Sequence, residues 1–215
     1  MSKKIGKLLM SSNTAISNAT VDPKVYKAIS LYGYTEERLQ EGKLLLDNAE
    51  ALSTQQAQKN GDKLGASQAM NVARKKVNDA YVPHVKIARI AMKNNKGAFQ
   101  ALELNGKRKR ANAARLSQAK TFYTNAIANE NYKTALADFG ITEDKLKAAL
   151  NLIKEAENAR ATYLKKNGEA QNATAKRNLA IEALEEWMSD FIAIARIALE
   201  GQSQLMEILG VVVPS

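Results

Sequence analysis

The chain contains no cysteine, which excludes disulfide staples, zinc-thiolate centres, iron-sulfur clusters and cysteine nucleophiles. Proline and glycine are also scarce, with 3 and 11 in 215 residues, and the 12 aromatics are too few to furnish the strands of a sandwich or barrel. No apolar run approaches the roughly 18 residues of a membrane span, since even Phe191 to Leu199 is interrupted by Arg196. The apolar part of the first ten residues, Ile5 with Leu8 to Met10, is shorter than the core of a secretion signal, so a soluble, cytoplasmic protein is expected. Glycine-rich phosphate loops and serine nucleophile elbows are missing. The single histidine, His84, has Tyr81 rather than a glutamate three positions before it, which disfavours a di-iron bundle. These absences predict a non-enzymatic protein without cofactor or metal.

What is present is helix-forming: Ala, Leu, Lys, Glu, Gln and Asn dominate. The chain also repeats itself. A shift of 107 positions aligns residues 28 to 102 with 135 to 209 without a gap, giving 20 identities over 75 positions. Chance would supply roughly 5 for this composition. The matches include Gly33 with Gly140, Thr35 with Thr142, Lys59-Asn60-Gly61 with Lys166-Asn167-Gly168, and Ile87-Ala88-Arg89-Ile90-Ala91 with Ile194-Ala195-Arg196-Ile197-Ala198. Two repeats, 1–107 and 108–215, packed together as one domain, are the expected organisation.

In both repeats a glycine and then a threonine with an acidic pair (Thr35-Glu36-Glu37 and Thr142-Glu143-Asp144) mark the start of a long helix. Leu39, Leu45, Leu46, Ala49 and Leu52 then recur at helical spacing, as do Leu146, Leu152, Ile153, Ala156 and Ala159. Lys-Asn-Gly reads as a helix end followed by a turn, so each repeat is expected to fold as a helical hairpin, with return helices over about 64–93 and 171–200. The competing reading is one unbroken helix through Asn-Gly. Two hairpins predict an all-α fold, an antiparallel four-helix bundle with pseudo-twofold symmetry and short accessory helices near 23–32, 98–104, 111–128 and 131–139. Pro83 should kink or restart the first return helix.

A hairpin turning at residues 60 and 61 would set Glu50 against Asn71 and Glu157 against Asn178, and would carry Arg89 and Arg196 toward Glu36 and Glu143. Glu50, Asn71, Glu157, Asn178, Arg89 and Arg196 are expected to be structural polar pairs, with an anion pocket on the two arginines as the functional alternative. Glu182, Glu185 and Glu186 read as a solvated helix face.

Charge carries the functional content. Between Lys59 and Arg115 stand 14 basic residues against Asp62, Asp79 and Glu103, a net +11 where the whole chain has +10. The cluster includes Arg74, Lys75 and Lys76 and peaks at Lys107-Arg108-Lys109-Arg110, a candidate surface for nucleic acid or another polyanion. No helix-turn-helix pattern or aromatic platform accompanies it. The leading expectation is a scaffold or interaction protein that binds a protein partner or itself, with polyanion binding through 59–115 as the alternative.

Overall fold

The computed structural model describes residues 3–106, 109 and 111–211. Among these the chain is all-α, with eight helices and no strand: α1 (Lys3–Val21), α2 (Pro23–Ser30), α3 (Glu36–Ala91), α4 (Lys96–Ala101), α5 (Asn112–Ala128), α6 (Glu130–Ala137), α7 (Glu143–Ala198) and α8 (Ser203–Ile208). No helix is long and apolar enough to cross a membrane. The bounds of α2, α3 and α4 recur, residue for residue, 107 positions later in α6, α7 and α8, and α1 and α5 end at equivalent positions.

Local chemistry explains the helix starts. Asp22 caps α2 by accepting from the amides of Lys24 and Val25 at 2.9 and 3.0 Å, with Pro23 preset at the first helical position. Its counterpart Asn129 caps α6 from the amides of Asn131 and Tyr132. Gly33 and Gly140 follow α2 and α6 with φ of +89° and +76°, the left-handed conformation that lets the chain turn into the long helices.

The hairpin expectation is corrected. Helix α3 runs through Lys59-Asn60-Gly61, and α7 through Lys166-Asn167-Gly168, without interruption; each spans 56 residues. Neither Gly61 nor Gly168 has a positive φ. A glycine inside a helix costs only about 1 kcal/mol relative to alanine, and the surrounding Gln, Ala, Lys and Leu are good helix formers. The four helices of the expected bundle are therefore two. Pro83 also sits within α3 without restarting it. With no turn at 60–61, Glu50 is not brought back to Asn71, and both are exposed. The same holds for Glu157 and Asn178: Glu157 instead accepts from Lys120 Nζ at 2.9 Å, and Asn178 accepts from its neighbour Arg177. Arg89 and Arg196 likewise do not return to Glu36 and Glu143.

The chain divides into two compact units, residues 1–61 with 167–215, and residues 62–166. In the first unit, residues 36–61 of α3 run antiparallel to 167–198 of α7, covered by α1, α2 and α8. Its core joins Ile16 and Ala19 of α1, Ile29 of α2, Leu39, Leu46 and Ala49 of α3, and Ile181, Leu184, Met188, Phe191 and Ala195 of α7. The alternating three- and four-residue steps along α7 keep one face inward over four turns. Tyr34, Trp187 and Phe191 cluster at centroid distances of 5.1 to 5.7 Å, and Trp187 rests on the bare backbone of Gly42. Leu205, Met206 and Leu209 pack into this core.

In the second unit, residues 62–91 of α3 run antiparallel to 143–166 of α7, with α4, α5 and α6 against them. Val77, Tyr81, Val85 and Ala88 meet Phe122, Tyr123 and Ala126 of α5 and Leu146, Ala149, Ile153 and Ala156 of α7. One ion pair fixes the antiparallel register in each unit. Lys59 pairs with Glu169 at 3.1 Å in the first, and Lys166 with Asp62 at 3.2 Å in the second. All four residues are half-buried, and the two pairs occupy equivalent positions under the 107-residue shift.

Candidate anion-binding site

The two units differ sharply in charge. Residues 62–166 carry 21 Lys and Arg against 9 Asp and Glu, a net +12; the remaining residues carry 11 against 13, a net −2. The positive excess therefore belongs to a single folded unit, and it extends past the 59–115 segment onto α5 and α7.

Within that unit the sequence-predicted basic residues separate into different roles. Lys75 and Lys76 are exposed on α3, Lys75 paired with Asp79 at 2.7 Å. Of the run 107–110, Lys107, Arg108 and Arg110 lie outside the described residues. Lys109 is exposed, 3.3 Å from Glu103 Oε2, and its amide donates to Gln118 Oε1.

Arg89 is an anchor for the loop before this junction. Its Nε donates to the carbonyl of Leu104 at 2.9 Å and its Nη2 to that of Gly106 at 2.8 Å. Two backbone carbonyls thus occupy this guanidinium in place of an anion. Arg196, at the equivalent position of α7, is exposed.

Arg74 belongs to a different arrangement. Arg74 and Asn78 of α3, Arg115 and Asn112 of α5, and Arg160 of α7 surround a cavity of about 70 Å³ backed by Val77, Tyr81, Leu116 and Ala156. Arg115 is held by Asn112, its Nη2 donating to Oδ1 at 2.8 Å. Among the described residues no carboxylate pairs with Arg74 or Arg160. Three arginines around one small space concentrate positive charge there, and an anion bound beside them offsets it, with Arg74 and Arg160 as the donors and Arg115, already held by Asn112, adding charge. The cavity shares Ala113, Leu116 and Arg160 with an open groove along α5 and α7, which continues past Ser117, Lys120 and Glu157 to Leu164.

The equivalent place in the first unit is apolar at three of its five polar positions. Under the 107-residue shift Arg74 corresponds to Ile181, Arg115 to Leu8, Asn112 to Ile5, Asn78 to Glu185, Tyr81 to Met188 and Arg160 to Ser53. Ile181, Met188 and Ser53 are buried, Ile5 and Leu8 pack on the first core, and Glu185 is exposed. Hydrocarbon thus stands in one unit where Arg74, Arg115 and Asn112 stand in the other. Sequence reasoning named Arg74 but missed Asn78, Asn112 and Arg160 as parts of a site, because they are far apart in the chain. The signal available was this exchange of apolar for basic residues between the aligned halves.

The remaining polar feature of the second unit is internal. His84 is half-buried, with Nδ1 3.0 Å from the hydroxyl of Tyr123. Burial, and secondarily the charge of Lys145, lowers the His84 pKa, while burial and then Tyr81 raise that of Tyr123. Both shifts favour a neutral imidazole beside a protonated phenol, and the direction of their hydrogen bond follows the imidazole tautomer. No group of three or more His, Cys, Asp or Glu suited to a metal occurs among the described residues. Comparison with protein-family models, with curated proteins and with solved structures finds no match to this chain.

Proposed function

We propose that the chain is a non-enzymatic interaction protein whose partner is nucleic acid, bound through the unit formed by residues 62–166. The observation that carries this reading is the partition of charge, +12 in that unit against −2 in the other. Lys and Arg that displace counterions from phosphates supply a sequence-independent affinity that falls steeply with salt. Nucleic acid is favoured over an acidic membrane because part of the positive charge is recessed. Arg74, Arg115 and Arg160 border a cavity that a discrete phosphate enters more readily than a lipid plane does.

The matching helix bounds also support descent of the two halves from one duplicated unit. On this reading one set of positions kept an apolar core while the other acquired a basic site.

The test is binding of a labelled oligonucleotide across a salt series, comparing wild type with a variant in which Lys107 to Arg110 are all serine. Log affinity should fall linearly with log salt, and the variant should have a shallower slope, by about 0.7–0.9 for each phosphate contact removed. Absence of binding at low salt would overturn the reading.

A further inference from the structure

We propose that the cavity between Arg74, Arg115 and Arg160 is a subsite for a single phosphate monoester, the terminal phosphate of a nucleic-acid strand. The source of that phosphate rests on the nucleic-acid reading above; the subsite chemistry stands on the cavity alone. Three helices each contribute one arginine to the lining of the same space, and Asn78 and Asn112 line it beside them. A guanidinium presents two parallel N–H donors that match two phosphate oxygens, so Arg74 and Arg160, with the charge of Arg115 beside them, exceed what one phosphodiester, with a single negative charge, requires. A terminal phosphate carries close to two negative charges at neutral pH and three outer oxygens.

Size agrees with charge. A cavity of about 70 Å³ has room for about five waters, each needing roughly 10–15 Å³ in this measure, which suits one phosphate group and not a length of backbone. The rest of the strand has somewhere to go. Arg160 also borders the adjoining groove, where Lys120 projects from α5. Ile181 and Leu8, the apolar counterparts of Arg74 and Arg115 in the first unit, mark those two arginines as additions that the helical framework does not itself need.

The experiment measures binding of one internally labelled oligonucleotide bearing either a 5′-phosphate or a 5′-hydroxyl, at fixed salt, to wild type, Arg74→Gln and Arg160→Ser. Inorganic phosphate is titrated separately into each protein and followed by calorimetry. Arg160 is exposed and its counterpart is Ser53, so Arg160→Ser keeps the test available should Arg74→Gln fold poorly. Wild type should prefer the phosphorylated strand by about tenfold, the size expected of one charge-assisted hydrogen-bonded contact. Both variants should lose that preference while still binding the hydroxyl strand. Equal, salt-dependent binding of both strands by wild type would overturn the subsite and leave the nucleic-acid reading standing. Binding of inorganic phosphate by wild type but not the variants, with neither strand bound, would support the phosphate subsite and overturn its nucleic-acid source. No binding of strand or phosphate would overturn both.

Discussion

Replacing Gly61 by alanine tests whether α3 is continuous where the sequence suggests a turn. Gly61 lies in the interior of α3, its φ is not positive, and a Cβ built on it meets no atom within 4 Å. The same is true of Gly168 in α7. With no steric cost, the change is governed by helix propensity and by the lower conformational freedom of alanine in the unfolded chain, together about 0.5–1 kcal/mol in favour of the variant. For a protein of this size that corresponds to roughly 1–4 °C in Tm. Urea and thermal melts followed by far-UV circular dichroism would measure it. Gly61→Ala and Gly168→Ala should each stabilise, and the double variant should gain about the sum. Destabilisation by more than about 1 kcal/mol at either site would refute continuity, since alanine is strained where a tight turn needs left-handed dihedrals.

Gly42→Ala, also on α3, should have the opposite sign. Its Cβ would lie 2.5 Å from Cζ2 and 2.7 Å from Cζ3 of Trp187, a rigid ring wedged against Tyr34 and Phe191, so urea melts should show a loss of about 1–3 kcal/mol. Arg89→Met removes both donors from the Leu104 and Gly106 carbonyls and should cost about 1–3 kcal/mol, with faster amide exchange in the loop, whereas Arg196→Met at an exposed site should stay within about 0.5 kcal/mol. Folding lowers the His84 pKa below its ordinary 6.5, so its contribution to stability is present above that value and is lost as pH falls through 6.5 toward the folded value. His84→Phe, which installs the side chain of Phe191, should flatten the Tm-against-pH curve between about pH 7 and pH 5; an unchanged slope would show that His84 does not titrate as its burial implies.

The parts of the fold legible from sequence are those decided by local chemistry. The Gly33-Thr35 and Gly140-Thr142 signals mark the starts of α3 and α7, and the apolar steps at Leu39, Leu46 and Ala49 mark a buried face. Lys-Asn-Gly was ambiguous for a physical reason: its propensities favour a turn by an amount small enough for packing on either side to overrule. What decided the matter is long-range, the pairing of Lys59 with Glu169 and of Lys166 with Asp62, residues more than 100 positions apart. The six polar residues assigned to hairpin contacts were read through the wrong turn, and only the structure revealed that Arg89 serves the 104–106 loop. The basic excess was visible in the sequence. Its concentration in one unit was not, because that unit joins half of α3 to half of α7.

The central claim is that nucleic acid is held by residues 62–166, and lysine footprinting tests it most directly. Reductive methylation of the free protein and of its oligonucleotide complex, read by mass spectrometry, compares exposed lysines of the two units under one condition. The account predicts protection of Lys75, Lys76 and Lys120 in the basic unit, with Lys3, Lys24, Lys27 and Lys176 of the other unit unchanged. Equal protection in both units, or protection confined to residues 1–61 and 167–215, would contradict it.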